Sequence, residues 1–506
     1  MKKSVKGIIG LTAVLVVLGG GYTALVLTDP DKENPDSSIS SESSESEQRN
    51  IVLIHDDNVS EDEQNSVIKT VDVKNTDGEL HVVQKTPATS ETSATYTLDG
   101  FQDIAMKTSI IGTLANNANG LTSVDLIEEN CTNPEKFGLD SPEITVDVEY
   151  ETGTKYTLFI GNEAPSGAVT YVMLDNSNTV YTVNNSTIAN YSKKVMELVD
   201  TTILESPDEM PIVESLRIER DDLDYDIFLE YDDNDDDSKF HAGTSAAHLM
   251  KEPVEAYLSV EDSNYITTGM FGLYASEVYS VHCTDDDIAE AGLKEPFCTV
   301  TMKCNDKNEY KLLLSEPFND SENGKCCYAM LEDGNIIFTV SVDKAKWVTV
   351  KPVDIASTMY LASYVWSISD MKVTAGNDEY NFEISQINPD EELESPTSAD
   401  FAVKLNGQDF DSERYRLFYS FLIKGNAEDF AFEEKLPSKE PMVTIEYTDS
   451  YEKRKIKFDF YDYSNMTAII AVDGESRFFI AKSFVETIIE NTKKFATDED
   501  FATTWK

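Results

Sequence analysis

The chain has 506 residues, with 94 acidic against 41 basic side chains and a formal net charge of −53. Nucleic acid is excluded as a partner, because binding it needs a basic footprint, and the same charge repels anionic lipid and anionic polymers while attracting divalent cations. Apolar residues make up 40% and aromatics 10%, enough for packed cores, so the acidity describes a solvated surface and not a disordered chain.

The N-terminus differs from the rest. Lys2, Lys3 and Lys6 precede GIIGLTAVLVVLGGGYTALVL, an uncharged run of 21 residues (7–27). About 20 residues span a bilayer, and the basic flank keeps the start of the chain in the cytoplasm and sends everything after Asp29 outside. The alternative is a cleaved signal peptide, whose apolar core is usually about 7–15 residues and ends at a small-x-small site. This run is longer, and its final stretch TALVLTDP offers no such site. No cysteine follows it, which disfavours a lipoprotein. Residues 1–28 therefore read as a transmembrane anchor. Residues 29–50, rich in Ser and Glu, read as a flexible tether. The short apolar segment IVLI (51–54) begins the folded part.

From there the chain repeats. The opening strand pair is TVDVKNTDGELHVV (70–83), then SLRIERDDLDYDIFLEY (215–231), then SDMKVTAGNDEYNFEI (369–384). From Val71 to Leu216 to Met371 the steps are 145 and 155 residues, and from Pro142 to Pro296 to Pro441 they are 154 and 145. Two landmarks that keep one interval make a tandem repeat, and a period near 150 residues is a domain, not a solenoid turn. The middle copy is longer, and its extra residues fit the acidic stretch DDNDDDSKFHAGTS (232–245) on the surface.

Within each copy a helical pattern follows the strand pair, over residues 103–123, 265–280 and 412–430. A second short segment then runs to Gly138 or Gly292, where a left-handed glycine, a packing leucine and a proline end it. The third copy has Lys435 and Leu436 there, so its helix must end differently. An antiparallel meander of four strands comes next, turning at Thr152 and Gly153 and at 175–178 in the first copy, at Asp333 and Gly334 in the second, and at Asp473 and Gly474 in the third. Segments 188–200, 341–348 and 483–496 read as closing helices, with Pro211 and Pro352 between domains. The expected fold is α+β: three tandem repeated domains, each a strand pair, helices and an antiparallel β-meander, behind one N-terminal transmembrane helix. The boundaries are 1–28 anchor, 29–50 acidic linker, 51–208, 209–360 and 361–506.

These residues carry a resemblance. A basic, apolar N-terminal span followed by units with Gly138, Leu139 and Pro142, then LFIGN (158–162), Tyr171 and VYTV (180–183), resembles the bacterial domain-of-unknown-function family numbered 4340. The likeness covers residues 98–204 well, extends to the middle copy through Gly292, Leu293 and Pro296, and is weak in the third. It implies an exported or membrane-anchored protein, often beside ABC-type transporter components. It implies no reaction, since the family has no established catalytic residues.

Motifs for chemistry are missing from the sequence. His55, His81, His241, His248 and His282 form no HExxH and no i, i+4 pair, and neither GxSxG nor GxxxxGK[ST] occurs. Asp232, Asn234 and Asp236 alternate as in a calcium loop, but Asp237 takes the glycine position and no glutamate stands at the twelfth, so an acidic loop is the plainer reading. Of six cysteines, Cys131, Cys283, Cys298, Cys304, Cys326 and Cys327, five lie in the middle copy. Either a bridge such as Cys304 with Cys326 or Cys327 forms outside the cell, or these are buried free thiols. No catalytic, cofactor-binding or metal residue is assigned. The expectation is a non-enzymatic, membrane-tethered extracytoplasmic interaction protein, an accessory of an ABC-type transport or envelope complex. The alternative is an extracellular binding protein for a cell-wall component, peptide or divalent cation, with a groove at the domain junctions.

Overall fold

The computed structural model describes residues 50–59, 66–89, 91–232, 246–450, 453–495, 497 and 499–505. The apolar span and all of the tether except Asn50 lie outside these residues, as do Asn234, Asp236 and His241. Among the described residues no helix is long and apolar enough to cross a membrane. The chain divides into two compact units. One is drawn from Gly120–Pro142, Tyr156–Ile188 and the described residues up to His55, and the other from Asp56–Asn119, Glu143–Lys155 and the chain from Ala189 onward.

The fold is mostly antiparallel β-sheet with few helices, and its strands fall in three successive stretches. The first holds β1 (Ile68–Asn75), β2 (Gly78–Thr86), β3 (Thr95–Leu98), β4 (Asp125–Glu128), β5 (Ile144–Tyr150), β6 (Lys155–Glu163), β7 (Val169–Leu174) and β8 (Val180–Asn184). The larger unit contains the run β3-β2-β1-β5, and the smaller unit contains the run β6-β7-β8-β4. The second stretch holds β9 (Val213–Arg220), β10 (Ile227–Tyr231), β11 (His248–Glu252), β12 (Ala256–Tyr257), β13 (Glu277–Val281), β14 (Cys298–Cys304), β15 (Glu309–Leu314), β16 (Phe318–Asp320), β17 (Gly324–Leu331) and β18 (Ile336–Ser341). Their order is β12-β11-β10-β9-β14-β15-β17-β18-β13, with β16 hung on β17. The third holds β19 (Ile368–Ala375), β20 (Asp378–Gln386), β21 (Phe401–Leu405), β22 (Gln408–Phe410), β23 (Asp429–Phe430), β24 (Val443–Asp449), β25 (Arg454–Asp462), β26 (Thr467–Val472) and β27 (Glu475–Ala481). Their order is β22-β21-β20-β19-β24-β25-β26-β27-β23, which matches the second position for position.

Period-2 alternation explains the register. In the first stretch Val71 lies opposite Val82 on one side and Val148 on the other, all buried, while Asp72 and Lys74 point outward or to the rim. The same row reads Leu229–Leu216–Met302 in the second stretch and Phe382–Met371–Tyr447 in the third.

The segments between copies are short β-straps. Lys107 N–H donates to Leu198 O and Asp200 N–H to Ala105 O, both at 2.8 Å, so the strap pairs with the residues just before the helix of the first copy. Its next residues pair forward, Ile203 N–H to Leu273 O at 2.8 Å and Gly272 N–H to Leu204 O at 2.9 Å. The second strap repeats this: Ser259 N–H donates to Ile355 O and Ser357 N–H to Tyr257 O, both at 2.8 Å, and Ala427 N–H then donates to Thr358 O at 3.0 Å. Ile51–Ile54 plays the forward role for the first copy, with Leu53 N–H on Leu121 O at 2.6 Å.

The helical regions are shorter than their periodicity suggests. The first helices are Thr108–Ala118, Val260–Thr268 and Ser412–Leu422. The latter part of each expected span is instead the far-edge strand β4, β13 or β23 or the turn leading to it, held by pairing with β8, β18 or β27. Of the expected closing helices, 188–200 holds only the single turn Val195–Leu198, and 341–348 only the turn Lys346–Val348. The third closing helix, Lys482–Lys493, is a full one. The Gly-Leu stop behaves as expected: Gly138 caps the turn Pro134–Phe137 at φ +72°, and Gly292 follows the helix Asp285–Glu290 at φ +69°. In the third copy the stretch 431–442 holds no helix at all.

Candidate functional site

Leu139 and Leu293, just past those glycines, are buried on the outer faces of their meanders. Leu139 packs with Cys131, Phe137 and Val180, and Leu293 with Ala291, Met330 and Ile337. In the first copy the stop interlocks with the LFIGN turn, because a Cβ on Gly138 would collide with the Asn162 side chain and one on Gly161 with the Phe137 carbonyl oxygen. These motif residues are therefore a packing device.

The histidines are dispersed. His81 meets Asp72, His248 Nε2 lies 2.8 Å from Val213 O, and exposed His55 stands 6.2 Å from Tyr156. His282 joins the first two copies: its Nε2 lies 3.0 and 3.1 Å from the Asp103 carboxylate and its ring 5.5 Å from Phe101. That contact holds the Asp103 carboxyl below its ordinary range. Among the described residues no three His, Cys, Asp or Glu side chains come together as a metal site requires.

All six thiols are free, and all but Cys283 are buried. The bridge from Cys304 to Cys326 or Cys327 is overturned: Cys304 lies on β14 and the other two on β17, with β15 between them. Two strand spacings are about 9–10 Å, beyond the reach of a disulfide. Burial pushes the Cys304 thiol up to about 11 and that of Cys327 up to about 12, so both are neutral and unreactive at physiological pH.

The most developed concave surface lies in the third copy. It is a groove of about 1040 Å³ between the strap and the turn that follows it (359–367), the helix Ser412–Leu422 and the connection between β20 and β21, large for a binding pocket. Its floor is a hydrogen-bonded aromatic layer. Tyr360 OH donates to Leu422 O at 2.9 Å, Tyr419 OH donates to Ser363 O, and Ser363 Oγ shares a 3.0 Å bond with Tyr447 OH. These bonds fix the strap to both the helix and the sheet. Burial pushes the hydroxyls of Tyr360 and Tyr419 far above the ordinary tyrosine range, so they stay protonated donors.

On that floor Trp366 stacks on Phe401, centroids 4.6 Å apart and planes at 8°, and half-buried Ile423 and Leu393 line the walls. Met359, Tyr364 and Ile387 are exposed at 36%, 61% and 56%, a local concentration of apolar surface. The wall residues 387–400 are held by Gln386, whose Nε2 donates to Asn388 O at 2.8 Å and to Glu391 O at 2.7 Å. Arg416 lines the groove, but Glu413 engages it at 2.9 and 2.5 Å. Glu391 and Glu392 line the rim, and no lysine does. A second cleft, of about 400 Å³, lies between the second and third copies. Asp222, Asp224, Asp429, Glu433 and Glu434 line it with Lys351.

None of the groove residues stands in a motif that marks a site in the sequence. The signal was present in MYLASYVWSIS (359–369), a segment between copies too aromatic for a solvated linker.

No curated protein and no solved structure matches the chain. The model of the family described as domain of unknown function (DUF4340) matches residues 97–248. The matched stretch runs from β3 through the first strap to the start of β11, one full period that begins and ends at a third strand. It contains Gly138, Leu139, Pro142, the LFIGN turn and VYTV, and stops short of Gly292. Over residues 97–248 the chain thus carries the domain of unknown function DUF4340.

Proposed function

We propose that this is a membrane-tethered extracytoplasmic interaction protein without catalytic activity, an accessory of an ABC-type transport or envelope complex. The uncharged run at 7–27 supplies the anchor, residues 29–50 the tether, and three tandem domains the body presented to a partner. The observation that carries this reading is the pattern of repetition. Strand order, straps and core rows recur from copy to copy, while the groove of the third copy is built from residues that do not. Where Tyr415, Phe418 and Tyr419 stand on the third helix, the second has Ser263, Ile266 and Thr267. A repeated scaffold with one differentiated surface suits recognition.

The alternative, a binding protein for a cell-wall component, peptide or divalent cation, gains support from the same groove and less from the acidic cleft at the domain junction. Co-purification separates the two. Tagged full-length chain from native membranes is compared with a version lacking residues 1–28 but still exported. Enrichment of a permease or its ATPase, reduced without the anchor, supports the accessory role. Recovery of the protein alone after mild crosslinking contradicts it.

A further inference from the structure

We infer that the groove of the third copy binds an extended peptide segment in which apolar and basic side chains alternate, and that Trp366, Glu391 and Glu392 are its principal recognition residues. The inference rests on the interaction-protein reading and names the contact surface and the chemistry of the partner.

Three observations lead to a cationic, apolar occupant. The floor and walls are apolar: Leu361, Trp366, Phe401 and Ile423 line a groove whose volume, about 1040 Å³, exceeds what one side chain fills. The charge on the rim is negative and uncompensated. Arg416 is the cation lining the groove and Glu413 holds it in two hydrogen bonds, while among the described residues Glu392 has no cationic partner and the Glu391 carboxylate meets only the Asn388 amide, at 3.3 Å. The aromatic surface is also of the kind that attracts cations. Trp366 stacks on Phe401 through one face, its indole N–H has no acceptor among the described residues, and Tyr364 stands exposed beside it. A lysine or arginine that meets a carboxylate while its methylenes lie on an aromatic ring satisfies both features at once. An anionic segment would face the carboxylates, and a purely polar one would leave the apolar floor uncovered.

The floor is also preorganised. The bonds from Tyr360, Tyr419 and Tyr447 hold the strap before any ligand arrives, and Gln386 holds the wall that carries Glu391. Little ordering is left to oppose binding.

The general attraction of a chain with net charge −53 for any cation is the competing explanation, and the test is built around it. Fluorescein-labelled peptides alternating lysine with leucine, glutamate with leucine and lysine with serine are titrated by anisotropy into the full-length chain in detergent at physiological salt. The lysine–leucine peptide is expected to bind at least about tenfold more tightly than either of the others. Trp366→Ala and the double variant Glu391→Gln/Glu392→Gln should each weaken it by about tenfold. Glu322→Gln/Asp333→Asn, which removes the same charge from exposed positions of the second copy, should leave it within about twofold. Glu391 and Glu392 sit on an exposed wall, so their double variant keeps its fold even if Trp366→Ala does not.

Equal binding of the lysine–serine peptide, an equal loss in the second-copy control, or no binding of the lysine–leucine peptide overturns the inference. If the inference falls while a membrane partner still co-purifies with the wild-type chain, the interaction-protein reading stands and its contact surface lies elsewhere. If no partner co-purifies, that reading falls as well.

Discussion

The second and third copies have the same strand order and are filled from different residue types. In the second, the sheet interior is aliphatic and sulfur-rich, with Met250, Cys298, Met302, Cys304 and Cys327 all buried, and the small Ser263 and Thr267 on the helix leave room for Trp347, which is wholly buried and donates its indole N–H to Ile266 O at 3.0 Å. In the third, Tyr415, Phe418 and Tyr419 fill the helix side, Phe382 and Tyr447 the sheet row, and Phe484 of the closing helix stacks on Phe421 at 5.0 Å. Alternating patterns and tight turns specify the strand order, and many apolar residues satisfy them. What each filling adds is different: tyrosines bring hydroxyls that tie strap to helix and sheet, whereas methionine and cysteine fill space without making such ties.

The largest effect tests the filling of the second copy. Trp347→Ala removes the largest fully buried side chain and its hydrogen bond, and should cost about 3–5 kcal/mol in denaturant unfolding. A loss under about 1 kcal/mol would mean that the helix and sheet of that copy pack without it.

Next is the sulfur side of the comparison. Cys327→Ser puts a hydroxyl into a buried apolar row and should cost about 1–3 kcal/mol. Its companion measurement is thiol labelling: native protein should react first at half-buried Cys283, the other five thiols only on unfolding, and non-reducing mass spectrometry should find all six free. A bridge from Cys304 to Cys326 or Cys327 would contradict the strand order of the second sheet.

A smaller change sharpens the third copy. Tyr447→Phe keeps the ring and removes the bond to Ser363 Oγ, and should cost about 1 kcal/mol. It should also speed amide exchange in the strap at 361–363, an effect that Met302→Leu at the matching position of the second copy should not produce.

The smallest effect is electrostatic. Arg416 holds the Glu413 carboxyl down to about 2, so its contribution is present above the ordinary glutamate range and is lost as pH falls from about 4.5 to 2. The pair is exposed, 38% for the arginine and 46% for the glutamate, so the contribution is under about 1 kcal/mol. Arg416→Gln should flatten the stability profile over that interval, lowering stability at pH 7 by under about 1 kcal/mol and leaving it unchanged near pH 2.

Much of the fold was legible. The period, the hairpin turns and the Gly-Leu stop follow from local signals, because a left-handed glycine or a two-residue turn is decided within a few residues. The strands that were missed are decided at a distance. The apolar residues of β13 lie on the helical pattern of 265–280, and only pairing with β18 makes them a strand. The closing helix of the first copy contracts to the turn Val195–Leu198 because Leu198 and Asp200 pair through their backbone with Lys107 and Ala105 as part of the strap. The groove was legible only as an excess of aromatics between two copies, since its walls come from residues more than 50 positions apart that the third sheet brings together.

The groove of the third copy is the proposed contact surface. The most direct measurement places a photo-crosslinking side chain at Ser420, in the groove, or at Asp333, an exposed turn of the second copy, in the full-length chain in native membranes. Position 420 should yield a discrete adduct with a membrane-complex component, and position 333 should not. No adduct from 420, or the same adducts from both positions, would contradict it.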